Sequence, residues 1–232
     1  MERSPETTRD RLVAAAERLF AEHGIDAVSL REINREAGAR NAIAVQYHFR
    51  DRAGIVRAVL DKHRPAIEAA RHAALDRIEA EGATDLRALA AALVRPEAAE
   101  LDDPDGGPQH LQIWAELVNR PRPRVPVPSG DQASIHRWRM LVAPLLDPQA
   151  ARLHRRFTAI RFAAAELGRR ASSGPHTDDR LFVSHLIDLV TAILAAPVSD
   201  ETVRLADERD GALGVTPHPV SGPPGREAGT RP

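Results

Sequence analysis

Apolar residues recur along most of this chain at helical spacing. Leu12, Ala15, Ala16, Leu19 and Phe20 stand at i, i+3, i+4, i+7 and i+8, one stripe of a helix that Thr7 caps with Asp10 and Gly24 closes. Ser29 and Glu32 form a second capping box, ahead of a short helix with Leu30, Ile33 and Ala37 turned inward. Gly38 supplies the positive φ of a turn. Asn41 is expected to cap a third helix running to about Tyr47 or His48. Asp51 caps a fourth, with Ile55, Val56, Val59 and Leu60 inward. Pro65 predicts a kink there rather than a break, because Ile67, Ala70, Ala74 and Ile78 continue the pattern.

Beyond Gly82 the pattern predicts a helix over 84–94, stopped before Pro96, then a loop at 100–108 (ELDDPDGGP). Residues 110–119 read as helix and 120–130 (RPRPRVPVPSG) as an extended loop. Helix returns over 134–146, and Pro148 suits the first turn of the next. Over 149–170, Leu153, Phe157, Ile160, Ala164 and Leu167 alternate steps of four and three, a coiled-coil-like seam. Residues 181–195 (LFVSHLIDLVTAILA) are apolar nearly all round, so that helix must be covered on more than one side. About nine helices and an all-α fold follow. The expected organisation is a three-helix domain over 1–53, a larger helical bundle over 54–198, and a disordered tail over 199–232.

Composition narrows the function. Apolar residues make up 43% and charged residues 28%, the balance of a soluble globular protein. The absence of cysteine excludes disulfides, thiolate metal sites and a cysteine nucleophile, and a cytoplasmic location is expected. No signal peptide and no membrane-spanning apolar run are read, so no membrane association is expected. The net charge of −1 argues against an indiscriminate nucleic-acid binder. Yet Arg35, Arg40, Arg50, Arg52, Arg57, Lys62 and Arg64 face only Glu36, Asp51 and Asp61 across the same stretch. A local basic patch on a neutral chain suits specific contact with phosphate.

The segment 29–49 (SLREINREAGARNAIAVQYHF) carries the chemistry. A capped helix, a Gly-centred turn and a second helix dense in polar and aromatic residues form a helix-turn-helix, whose second helix enters the major groove. Together with EHGIDAVSL before it and QYHFRDRAGIVRAVL after it, the stretch 7–60 resembles the N-terminal domain of TetR-type, tetracycline-repressor-like transcriptional regulators. Three features depart from that family. The run from Ala37 through Phe49 is one residue longer than usual, Gln46 stands where the first Tyr is common, and Arg52 stands where Lys is frequent. No relative's operator therefore carries over.

At 100° per residue from Asn41, Ala42, Val45 and Phe49 should pack inward, while Arg40, Ile43, Ala44 and Tyr47 face the groove. Arg40 is a candidate bidentate reader of guanine, and Ile43 and Ala44 of thymine methyls. Tyr47, His48 and Arg52 are candidate phosphate contacts, as is Ser29 at its helix N-terminus. Gln46, at the boundary, either reads adenine or touches backbone.

The resemblance implies a larger domain that binds an effector and dimerises. Independently, one helix-turn-helix covers too little DNA to bind well alone. Phe157, Ile160, Ala164 and Leu167, with Leu186, Leu189, Val190 and Ile193, are the expected dimer interface. A pocket for an unidentified small molecule is expected near His110, Trp114, His136 and Trp138, where polar groups stand among apolar ones. The histidines lack HExxH spacing, and neither a phosphate-binding Gly-Lys loop nor a GxSxG elbow is present. No catalytic residue, metal or cofactor is expected. The expectation is a cytoplasmic, homodimeric, ligand-responsive repressor that binds double-stranded DNA at a palindromic operator. The alternative is a helical ligand-binding or protein-interaction module that does not read DNA.

Overall fold

The computed structural model describes residues 7–41, 43–82, 85–121 and 133–212. Among them are eleven α-helices and no strand. The first four are α1 (Thr8–His23), α2 (Leu30–Glu36), α3 (Ala44–Phe49) and the long α4 (Arg52–Ala80). Then come α5 (Leu86–Ala98), α6 (Gly107–Asn119) and α7 (Ser134–Val142). Last are α8 (Pro148–Arg152), α9 (Arg155–Ser172), α10 (Arg180–Ala195) and α11 (Asp200–Ala212).

The two N-terminal capping boxes form as the sequence requires. Thr7 and Asp10 exchange bonds at the start of α1, and Ser29 and Glu32 do so at the start of α2. Asp51 caps α4 by accepting the Gly54 N–H at 2.8 Å. That helix continues through Pro65 as a single element.

Several boundaries differ from the apolar pattern. α5 runs past Pro96 and passes directly into a 3₁₀ turn, Ala99–Asp102. A proline there forfeits one backbone bond near the helix end. The buried face of Leu89, Ala90, Leu93 and Val94 holds the helix regardless. The expected loop at 100–108 therefore contains helical turn at both ends, since α6 already begins at Gly107 behind Gly106, whose φ is +92°. The single helix expected over 149–170 is broken at His154, which adopts φ +58° between α8 and α9. Residues 200–212 of the expected tail form α11, tied to α8 by Arg152 pairing with Asp207 and Asp210, both at 2.7 Å. Thr84, most of the Pro-rich 120–130 stretch and the tail beyond Ala212 lie outside the described residues.

Two apolar cores result. The first joins α1, α2, α3 and the N-terminal half of α4 through Leu12, Phe20, Ile33, Val45 and Ile55, each 1% exposed or less. Burying one such side chain stabilises by roughly 1.5–3 kcal/mol. This core also takes in Ile113 and Leu117 of α6, so the N-terminal unit is seated on the bundle. The second core packs α5, α6, α7, α9, α10 and the C-terminal half of α4 around Leu75, Leu111, Trp138 and Leu186. No single helix among the described residues is long and apolar enough to cross a membrane; α10 and α11 together bend by 62°.

Candidate nucleic-acid interface and ligand cavity

The turn between α2 and α3 is set by Asn34, buried on α2. Its side-chain oxygen accepts the Val45 N–H at 3.1 Å, and its carbonyl accepts the Ala39 N–H at 3.0 Å. The start of α3 is thus held from the neighbouring helix. Asn41, the expected cap, instead bends the chain ahead of it: its side chain accepts the Ile43 N–H at 3.0 Å, and α3 starts only at Ala44.

That late start moves the faces. Ala44, Val45 and Phe49 are buried, so Ala44 belongs to the core and not to the groove side. The 100° count from Asn41 misplaced it because neither Asn41 nor Ile43 is part of the helix. Ala42 lies outside the described residues. Exposed on the other side are Arg40, Asn41, Ile43, Gln46, Tyr47 and His48. Tyr47 is 80% exposed and Ile43 57%, the opposite of what core packing would make of an aromatic and a β-branched residue. Tyr47 and His48 stand edge to face with centroids 5.0 Å apart. Ser29 is exposed at the N-terminus of α2. Arg52 is half-buried and donates to the carbonyl of Ile25.

Two polar bridges fasten the N-terminal unit to the bundle. In the first, Glu17 of α1 is 2% exposed and accepts from Lys62 at 2.7 Å and from His63 Nε2 at 2.7 Å. His63 Nδ1 meets Glu100 at 2.6 Å, and its ring stacks on His110 with centroids 4.6 Å apart. Burial alone would push the His63 pKa down. The hydrogen bonds to Glu100 and Glu17, and then their charges, outweigh it and hold the imidazolium up to about 9. Asp103 also approaches Nδ1, at 3.6 Å. The 2.6 Å contact with Glu100 leaves room for a proton but not for a metal between the two atoms. In the second bridge, Glu116 of α6 accepts the Ile25 N–H at 3.2 Å, and Arg120 pairs with Glu116 and, at 3.1 Å, with Asp26.

A cavity of about 290 Å³ lies between α4, α5, α6, α7 and α9. Leu93, Trp114, Leu117, Phe157, Ile160 and Leu167 are among its apolar walls. Of the residues expected there, His110 and Trp114 line it. Trp138 does not: it is fully buried and its indole N–H donates to the Leu89 carbonyl at 2.8 Å, bracing α7 on α5. His136 is half-buried away from it. The expected dimer residues also divide. Ala164, Leu167, Leu186 and Val190 are 3% exposed or less within one chain, because the bundle itself covers that face. Phe157 and Leu189 remain 47% and 37% exposed, and Ile160 and Ile193 are intermediate.

Sequence spacing missed Glu17, His63, Arg71, Glu97 and Arg139. Each is charged or polar on a helix, and the packing of distant segments buries Glu17, His63 and Arg71 and half-buries Glu97 and Arg139.

Residues 12–59 match the family described as bacterial regulatory proteins, tetR family. No curated protein matches the chain. Among solved structures, AmtR of Mycobacterium smegmatis is 18% identical, covering 94% of this chain and 99% of its own, with a TM-score of 0.44. A TetR-family regulator from Streptomyces coelicolor is 20% identical over 84% and 99%, at 0.41. The superantigen PfiT is 17% identical over 84% and 100%, at 0.43.

Proposed function

We propose that this chain, whose residues 12–59 match the bacterial tetR family of regulatory proteins, is a ligand-responsive repressor binding a palindromic operator as a dimer. The observation that carries this reading is α3: a short helix whose inward face is fully packed while its outward face presents Gln46, Tyr47 and His48 to solvent. Arg40 reads guanine, Ile43 packs on a thymine methyl, and Asn41 and Gln46 reach neighbouring base edges. Tyr47, His48, Arg52 and the Ser29 end of α2 hold phosphates. A two-fold pair of heads would contact half-sites about 34–36 Å apart or a multiple of that.

The functional units are a reading head over 1–53 and an effector and dimerisation bundle over 54–198, with α4 shared between their cores. The partner copy docks on the exposed stripe of α10, Leu181, His185 and Leu189, which the other described residues leave uncovered. The effector occupies the cavity behind His110 and Trp114. Arg120, which lines that cavity, also pairs with Asp26 of the reading head, so an occupant that shifts Arg120 changes the seating of the head.

Selection of duplexes from a random-sequence pool at physiological salt tests the reading. Recovery of one palindrome, lost on Arg40→Ala or Tyr47→Ala, is the expected result. A pool without enrichment would refute DNA reading and favour a ligand or partner module.

A further inference from the structure

The polar inventory of the cavity wall is unbalanced. Five arginines line it, Arg64, Arg71, Arg120, Arg139 and Arg161, against two glutamates, Glu68 and Glu97. Three of the five already have carboxylate partners: Arg64 with Asp61 at 2.5 Å, Arg71 with Glu97 at 2.7 Å, and Arg120 with Glu116 and Asp26. Arg139 and Arg161 make no ion pair among the described residues.

Buried polar atoms without a hydrogen-bond partner point to the same place. Among the described residues they are Arg71 Nε, Arg139 Nε, Glu97 Oε2 and His110 Nδ1, and all four residues line this cavity. Leaving such a group unpaired is costly, the more so when it is charged. Four of them around one cavity describe a site built for a ligand with polar groups of its own. Of the four residues, Arg139 alone has no ion-pair partner among the described residues. Its guanidinium lies 4.8 Å over the Phe157 ring, so its stem and plane are positioned against an apolar wall. Its neighbour Arg156 is like-charged and donates to the Arg139 carbonyl at 3.0 Å. Burial, and then the Arg156 charge, push the Arg139 guanidinium below its ordinary value. An anion at this point offsets both effects.

We propose that the cavity takes an organic carboxylate, with its apolar body against Leu93, Leu117 and Phe157 and its carboxylate on Arg139. The Glu97 and His110 end adds an unpaired acceptor, which suits a hydroxyl on the same molecule. The volume is near the lower end of the usual range of about 300–1,000 Å³, so the body is compact or a single chain. This proposal rests on the reading of the cavity as the effector site.

The test is calorimetric titration of the full chain with decanoate, 1-decanol and decylamine. Decanoate is expected to bind, decanol at least about tenfold more weakly, and the amine not at all, since a hydrogen bond to a charged group is worth about 1.5–3 kcal/mol. Arg139→Gln should weaken decanoate by about 10- to 100-fold while leaving decanol unchanged, and Arg139→Lys should restore part of the loss. Decanol binding as tightly as decanoate, or Arg139→Gln weakening both equally, overturns the carboxylate assignment and leaves the effector site standing. If none of the three binds, the effector-site reading falls with it.

Discussion

Replacing His63 with Gln removes the cation that Glu17 and Glu100 share at the joint between reading head and bundle. The imidazole is 3% exposed and bonded at both ring nitrogens, at 2.7 and 2.6 Å. Its folded pKa of about 9 stands against an ordinary 6.5, which corresponds to about 3 kcal/mol of stabilisation. The folded chain binds the proton more tightly than the unfolded chain does. The contribution is therefore complete below pH 6.5 and lost as pH rises through about 9. The groups facing His63 are Glu17 from α1, Lys62 on its own helix, Glu100 and Asp103 beside the 3₁₀ turn, and the stacked His110 of α6. Urea unfolding followed by circular dichroism from pH 6 to 9.5 measures the effect. The wild type should lose about 3 kcal/mol across that window, and His63→Gln should be about 3–5 kcal/mol less stable at pH 6, with the gap closing towards pH 9. Two curves that stay parallel from pH 6 to 9.5 would refute the assignment of the proton to His63.

Two further outcomes follow from packing. A Cβ at Gly106 would stand 2.0 Å from the Glu17 carboxylate with φ at +92°, whereas at Gly38, with φ +60°, nothing lies within 4 Å. Gly106→Ala should therefore cost about 2–4 kcal/mol in thermal unfolding and Gly38→Ala only about 1 kcal/mol. On α10, Leu189→Glu should shift the chain to monomer in sedimentation and weaken operator binding at least about tenfold, with the far-ultraviolet spectrum unchanged. A variant that stays dimeric would move the interface elsewhere.

Local chemistry carried much of this protein. Thr7 with Asp10, Ser29 with Glu32, and Asp51 each satisfy backbone groups a few residues away, so their helices start where the sequence places them. The apolar stripe of α1 likewise reports a 3.6-residue period that no distant contact is needed to produce. The helix-turn-helix was legible for the same reason: cap, glycine turn and contact helix are neighbours in sequence.

Tertiary structure decided what depends on residues far apart in the chain. Asn34, on the preceding helix, fixes where α3 begins and so turns Ala44 inward. Packing carries α5 through Pro96, and ion pairs to α11 accompany the break of the 149–170 pattern at His154. The bundle covers Leu186 and Val190, which the pattern alone assigned to a partner. The Glu17–His63–Glu100 joint and the arginine-rich cavity are assembled across dozens of residues of sequence. Burying a charge is tolerated only where such partners converge, and spacing along one helix carries no record of that convergence.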